Sequence, residues 1–306
     1  MGALMTKGVF HSAALPAIAL LLLVSIGVLG QAPAGFELTL IDLEGKRTVL
    51  GTLPASVYAP RISPDGTRVA FETRDASGPD GARLWTAPLS NIADRKPLPL
   101  VMGPVNWAPM WTPDGQRLVF IVSGDRPDAI YWRRADGTGE AEHLIDTRSG
   151  EGWTTDGKQL RFLTLTGNRD YGISLFDMAS RRVTPFIDLP GSAQHSSNMS
   201  PDGKWMAYTS NETGRYEIWI EPFPRTGMRY QMTRDGGSHP MWRPDGASLY
   251  FDRDNQLFLL TVNTKDLATN NMPAPLPIKG FAQAEYRRQF DMMPDGRRFL
   301  VLIPKN

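Results

Sequence analysis

The tripeptide Pro-Asp-Gly, or a close variant of it, recurs six times along this chain of 306 residues. The aspartates of the six copies are Asp65, Asp114, Asp156, Asp202, Asp245 and Asp295. Successive aspartates are 49, 42, 46, 43 and 50 residues apart. A period of about 40–50 residues, with several short strands in each copy, is typical of propeller folds.

Each copy of the turn lies between two strand-like runs. Apolar side chains stand four and six residues after every turn aspartate, and residues two apart lie on one face of a strand. Asp-Gly between two such runs indicates a hairpin, because glycine reaches positive φ without a Cβ clash. The pattern predicts two antiparallel strands per copy, and it assigns the aspartates to turns rather than to ligand or acid roles.

Two more strand-like segments follow in each copy except the last, which ends after its first two strands (289–303). The missing pair stands at the front, where Phe36–Leu40 alternates like a third strand and Thr48–Leu50 is suited to a fourth. The sequence therefore predicts an all-β fold, a six-bladed β-propeller of four-stranded antiparallel blades. The N- and C-terminal strands would share the last blade and so close the ring, which removes open sheet edges.

The N-terminus has the layout of an export signal. Residues 12–30 carry no charge, and Lys7 and His11 precede them without any acidic residue. This layout predicts a signal peptide over 1–30, followed by a linker (31–35) and the propeller (36–306). The apolar run also approaches the ~20 residues that span a bilayer, so an N-terminal membrane anchor is the alternative. The propeller is expected in the periplasm or outside the cell, or else anchored to the inner membrane and facing the periplasm.

The composition excludes several classes of function. Thirty-three basic and 32 acidic side chains give a formal net charge of +1, whereas nucleic-acid-binding domains usually carry a clustered excess of Lys and Arg. No nucleic-acid partner is therefore expected. The absence of cysteine excludes disulfides, thiolate metal sites and a cysteine nucleophile.

The repeats resemble those of a known family. SPDGTRVAFET, TPDGQRLVF and SPDGKWMAYTSNETGRYEIWIEPFP (200–224) are similar to the TolB-like, WD-type propeller repeats of bacteria. The resemblance covers about residues 36–306 and departs from the pattern at Thr155, which replaces the turn proline. The last three copies look most like propellers appended to bacterial receptor-like Ser/Thr kinases, although the kinase motifs themselves are absent. The resemblance implies the fold and an envelope location.

Catalytic motifs are absent from the sequence. No G-x-S-x-G nucleophile elbow occurs, and only His143, His195 and His239 remain beyond the leader. No two of them have zinc-ligand spacing, and His143 falls in a predicted outer strand. Asp252–Asn255 offers oxygen ligands of the kind calcium prefers but lacks the rest of an EF-hand loop, so a solvated turn is the preferred interpretation. No cofactor is predicted; a calcium ion in the channel would be compatible with the resemblance.

The segments that lead into the first strand of each blade converge at the mouth of a propeller's channel. Loop residues of aromatic and arginine type often anchor interfaces, although each of these side chains could also simply fill the funnel. The candidate ligand- or partner-binding residues are Tyr58, Trp107, Glu151, His195, His239, Tyr286 and Arg287.

These observations predict a monomeric, non-catalytic, exported scaffold that binds an envelope protein or peptide, or a small ligand in its central channel. One alternative is a hydrolase or lyase acting at the channel mouth, with Glu151, His195 and His239 as its acid–base groups. The other is a detached sensor domain of a receptor kinase, anchored through residues 12–30.

Overall fold

The structure is a computed structural model. It describes residues 34–74, 81–124, 126–147, 149–166, 170–267, 272–284 and 287–305. The predicted leader and residues 31–33 of the predicted linker lie outside these ranges. Within them, no helix has the length and apolar character needed to cross a bilayer.

Strands make up almost all the regular structure of the described residues, together with one short 3₁₀ helix at Ile92–Asp94. The strands are β1 (Gly35–Asp42), β2 (Arg47–Leu53), β3 (Val57–Ile62), β4 (Arg68–Arg74), β5 (Ala82–Pro88), β6 (Lys96–Pro97), β7 (Val105–Trp111), β8 (Arg117–Ser123), β9 (Ala129–Arg134), β10 (Glu142–Asp146), β11 (Gly150–Trp153), β12 (Gln159–Leu165), β13 (Tyr171–Asp177), β14 (Val183–Ile187), β15 (Gln194–Met199), β16 (Trp205–Ser210), β17 (Glu217–Pro222), β18 (Tyr230–Gln231), β19 (Ser238–Trp242), β20 (Ser248–Arg253), β21 (Gln256–Thr261), β22 (Ala274–Lys279), β23 (Phe290–Met292) and β24 (Arg298–Lys305).

The described strands fall into antiparallel sets of four, each of which is called a blade below. Five sets follow chain order: β3–β6, β7–β10, β11–β14, β15–β18 and β19–β22. The sixth has the order β2-β1-β24-β23 and so combines both ends of the chain. A parallel pairing of Ala82 with Val105 joins the first two sets into one larger sheet. The predicted four-stranded antiparallel architecture is confirmed.

Ring closure depends on the shared blade. β1 pairs with β24 over its whole length, from Gly35 opposite Lys305 to Asp42 opposite Arg298. The amide of Ala34 adds a further 3.1 Å hydrogen bond to the carbonyl of Lys305. The prediction that the terminal strands share the last blade is therefore confirmed, and β1 and β24 each cover an edge that the other would leave unpaired.

The hydrophobic core lies between neighbouring blades, in clusters that follow one another around the ring. The two apolar positions predicted after each turn are buried in every blade. Four residues after the aspartate stand Val69, Leu118, Leu160, Met206, Leu249 and Phe299. Six residues after it stand Phe71, Phe120, Phe162, Tyr208, Phe251 and Val301.

The Pro-Asp-Gly turns pack against each other on one side of the ring. Asp65 accepts hydrogen bonds from the Ser63 hydroxyl and the Thr67 amide, which lower its pKa to about 2. The glycine of each turn faces the residue at the proline position of the preceding turn. A Cβ on Gly296, where φ is +66°, would lie 2.5 Å from Cδ of Pro244. The turns thus explain why this motif recurs: aspartate closes the turn, and glycine makes room for the neighbouring blade.

Candidate functional site

The first strands of neighbouring blades contact one another, as β3 does with β7 and β15 with β19, and they surround the central channel. A register irregularity interrupts the pairing of each of these strands from β3 to β19. Ala59, Ala108, Ser196 and His239 have φ between +51° and +56° there. Left-handed φ costs roughly 1–2 kcal/mol at a residue with a Cβ, and such bulges re-aim the side chains beside a site.

Side chains bridge the blades at these bulges. The amide of Ala59 donates to Oε1 of Gln289 at 2.9 Å, and the amide of His239 donates to Oγ1 of Thr209 at 3.1 Å. The amide of Ser197 likewise donates to the Glu151 carboxylate. Each bond joins one blade to the next around the axis, so the amides that the bulges free from the strand ladder are satisfied.

Two cavities lie along the axis, on the side of the ring opposite the Pro-Asp-Gly turns. The wider one, called the mouth cavity below, has a volume of about 530 Å³. The narrower one, called the channel cavity, has a volume of about 70 Å³. His239 and Arg287 line both, so the mouth leads into the channel. The aromatic and arginine residues of the mouth cavity are Tyr58, Tyr216, Arg74, Arg215, Arg253 and Arg287.

A buried carboxylate organises one wall of the mouth. Glu72 is fully buried and accepts from Nη1 of Arg287 and Nε of Arg74, at 2.9 and 3.0 Å, and from the amide of Ala108. Burial alone would raise the pKa of Glu72, but the two guanidinium groups outweigh it and lower the pKa. Arg287 also stacks on Trp107, with Cζ 3.9 Å from the ring centroid. This wall is fixed by charge-assisted hydrogen bonds and a cation–π contact.

A histidine–carboxylate pair forms another part of the wall. Nδ1 of His239 lies 2.8 Å from Oδ1 of Asp252, and both residues are buried. The ring of His195 lies 6.1 Å from that of His239 and 5.0 Å from that of Tyr216, measured between centroids. Burial, and then His239, lower the pKa of His195 to about 3. His195 is therefore neutral near pH 7.

Glu151 faces the channel cavity. Burial raises the pKa of Glu151 despite the amide of Ser197 and the charge of Arg161. Arg161 itself is buried, and its Nη1 donates to Oγ of Ser197 at 2.7 Å. Glu151 and Arg161 of the third blade are thus both hydrogen-bonded to Ser197 of the next blade.

Comparison with solved structures identifies the fold. No family model matches this sequence, and no curated protein matches it either. A putative TolB from Agrobacterium tumefaciens superposes with a TM-score of 0.72 at 17% identity, over 89% of this chain and 99% of that one. The fold is a TolB-like β-propeller. TolB from Acinetobacter baumannii matches with a TM-score of 0.58 at 17% identity, over 90% of this chain and 66% of that one. An oligogalacturonate lyase in complex with manganese also matches, with a TM-score of 0.53 at 18% identity, over 76% of this chain and 73% of that one.

The TolB-like propeller brings several of the predicted site residues together. Tyr58, His239 and Arg287 line the mouth cavity, and Glu151 lines the channel cavity. Trp107 lies beneath Arg287 and donates from Nε1 to Oγ of Ser123 at 2.8 Å. His195 is fully buried behind His239, and Tyr286 lies outside the described residues.

Sequence reasoning missed Glu72 and Asp252 as parts of this site. Both stand seven residues after a turn aspartate, where other blades have apolar residues such as Ile121 and Leu163. A carboxylate at a buried position of an apolar strand is a usable signal, because it is stable there only with a partner. The expectation that Asp252–Asn255 is a solvated turn is wrong for Asp252, which is 4% exposed and paired with His239.

The described residues contain no cluster of three or more His, Asp or Glu side chains arranged to hold a metal ion. The rings of His195 and His239 nevertheless lie 6.1 Å apart between centroids, although 44 positions separate the two residues in the sequence. Spacing along the chain did not reveal this pair, because the two residues belong to the first strands of different blades.

Proposed function

We propose that this chain is a non-catalytic binding propeller of the bacterial envelope, which docks a protein or peptide partner on the mouth cavity. The observation that carries the proposal is the mouth itself. It is a preformed cavity of about 530 Å³ whose wall includes two tyrosine and four arginine side chains, residue types that contribute strongly to binding energy at interfaces. Fixed walls lower the entropy that docking loses.

The ionisable groups around the mouth favour a structural role. Glu72 holds two arginines, Asp252 holds His239, and Glu217 accepts hydrogen bonds from Arg215 and the amide of Gly236. A general base needs a pKa near the working pH and access to substrate. Carboxylates engaged in several internal hydrogen bonds serve better as supports that keep the mouth rigid.

Paired variants on the two sides of the ring test the docking surface. Tyr58→Ala combined with Arg253→Ala alters the mouth, where Arg253 packs on Phe258 and donates to the Asp235 carbonyl. Lys158→Ala combined with Lys204→Ala alters the exposed turns of the opposite side. We expect affinity capture from envelope extracts to recover a partner with wild type and with the lysine variant, but not with the mouth variant. Equal recovery by all three proteins would refute the mouth as the docking surface.

Export is the second part of the proposal and depends on residues 1–30. N-terminal sequencing of the protein recovered from the periplasm should give Gln31 or a close neighbour. An intact leader on membrane-bound protein would instead support the anchored sensor domain of a receptor kinase.

His239 and Asp252 favour one alternative function. A carboxylate-bound imidazole at a cavity wall is the arrangement of a general base, and an oligogalacturonate lyase has a similar fold. Screening esters, lactones, glycosides and oligogalacturonate, with and without Ca²⁺ or Mn²⁺, tests this alternative. Turnover that His239→Ala abolishes would establish an enzyme, whereas turnover retained by that variant would indicate a contaminant.

A further inference from the structure

The channel cavity beneath the mouth contains an excess of positive charge. Arg61, Arg287 and Arg288 line it, together with the single carboxylate of Glu151. These side chains come from three different blades and converge on a volume of about 70 Å³. Like charges brought together in a confined, poorly hydrated space repel one another unless anions compensate them.

Two of the three arginines are paired with carboxylates, and Arg287 shares its carboxylate with Arg74. Nη1 of Arg287 lies 2.9 Å from Glu72, and Nη2 of Arg288 lies 2.7 Å from Asp291. Glu151 in turn lies in the field of the buried Arg161. Each of these acids is therefore already matched to a cation.

Arg61 is the third arginine of the channel, and it forms no ion pair with a described residue. Its Nη1 donates to the carbonyls of Pro60 and Arg288, at 2.7 and 3.0 Å, and no carboxylate among the described residues lies within ion-pair distance of it. Burial, and then the charge of Arg288, lower the pKa of Arg61 to about 9, although the charges of Asp291 and Glu72 act to raise it. The guanidinium remains charged at neutral pH, in a channel whose potential is positive.

The side-chain amide of Gln289, close to Arg61, is a buried donor that also lacks an acceptor. Oε1 of Gln289 accepts from the amide of Ala59 at 2.9 Å, which assigns the other amide atom, Nε2, as a donor. Nε2 is buried and has no hydrogen-bond partner among the described residues. Buried donors are almost always satisfied, so this amide points to an oxygen ligand that approaches from the mouth cavity, which Gln289 lines.

We propose that the channel beneath the mouth is a binding site for one carboxylate group, held by Arg61. A guanidinium presents a planar fork of donors that matches the two oxygens of a carboxylate. A carboxylate also carries a negative charge, which would offset the positive charge of Arg61. The site rests on the channel residues and on the amide of Gln289, and it stands whether or not the mouth docks a protein.

The carboxylate could belong to a free small acid or to an acidic side chain of a peptide, and two probes distinguish these sources. Calorimetric titration of the full chain uses sodium acetate in one arm and a blocked Gly-Glu-Gly tripeptide in the other, at constant ionic strength. Blocked Gly-Gln-Gly controls for the peptide backbone. Saturable binding of acetate supports a free acid, and binding of the glutamate peptide alone supports a side chain. Absence of binding in both arms overturns the proposal.

Three variants assign the binding to Arg61. Arg61→Gln should weaken it by about ten- to a hundredfold, the loss expected for hydrogen bonds to a charged group. Arg117→Gln removes an equal charge from the outer surface, where Arg117 stacks on Trp132, and should change affinity by less than about twofold. Arg61→Lys keeps the charge but loses the fork, so it should also weaken binding and provides the test if Arg61→Gln does not fold. Equal affinities for wild type and Arg61→Lys, or for Arg61→Gln and Arg117→Gln, overturn the assignment.

Discussion

Acid should destabilise this propeller through His195, whose imidazole is fully buried. Burial and the neighbouring His239 lower the pKa of His195 to about 3, from 6.5 in an unperturbed histidine. Between those pH values the unfolded chain binds a proton that the folded chain excludes. The free energy of unfolding therefore rises with pH in this window. The stability is fully present above pH 6.5 and is lost progressively as the pH falls toward 3.

The size of the effect follows from linkage. A pH of about 5 lies about 1.5 units below the pKa of an unperturbed histidine, which applies to the unfolded chain, and each unit corresponds to about 1.36 kcal/mol. His195 should therefore lower the free energy of unfolding by about 2 kcal/mol between pH 7 and pH 5.

Urea denaturation of wild type and of His195→Gln at these two pH values measures the contribution. The variant loses the ring contact with Tyr216 and is expected to be less stable at pH 7. Its further loss on acidification should be smaller than that of wild type by about 2 kcal/mol. The same loss in both proteins would refute the reasoning, because it would mean that His195 accepts a proton in the folded chain as readily as in the unfolded one.

Three other perturbations test the packing. Glu72→Ala leaves Arg74 and Arg287 without their shared carboxylate and should lower the free energy of unfolding by about 3–5 kcal/mol. A loss below about 1 kcal/mol in urea denaturation would contradict a stabilising buried ion pair. Gly296→Ala should destabilise more than Gly191→Ala, since both have positive φ but only Gly296 faces a neighbour, Pro244, at close range; equal melting temperatures would exclude the contact. Deletion of residues 298–305 removes β24 and should abolish cooperative unfolding in circular dichroism; a cooperative transition would contradict closure through the shared blade.

The architecture could be predicted because each repeat encodes it locally. Alternation fixes which side of a strand is buried, and Asp-Gly fixes where the chain reverses. The incomplete last copy also indicated that Phe36–Leu40 would complete its sheet, as β1 does beside β24. The first two signals depend only on neighbours along the chain, and the third depends on counting strands in the repeats, which a sequence displays directly.

The site was only partly predictable, because its contacts join residues from different blades. The repeat pattern indicated Tyr58, His239 and Arg287 at the mouth, although Tyr58 and His239 lie within the first strands of their blades and not before them. It gave no indication that His195 would be buried, or that Glu72 would lie beneath Arg287, 215 residues away. The bulges were also invisible, because alanine, serine and histidine occupy left-handed positions that usually indicate glycine.

The pairing of β1 with β24 has a consequence for biosynthesis. A ribosome makes the chain from its N-terminal side, so β1 and β2 emerge long before β24, the strand that pairs with β1 in the shared sheet. Until β24 is made, β1 presents an unpaired edge to whatever surrounds the nascent chain. This delay makes a holding chaperone valuable to such a protein during synthesis.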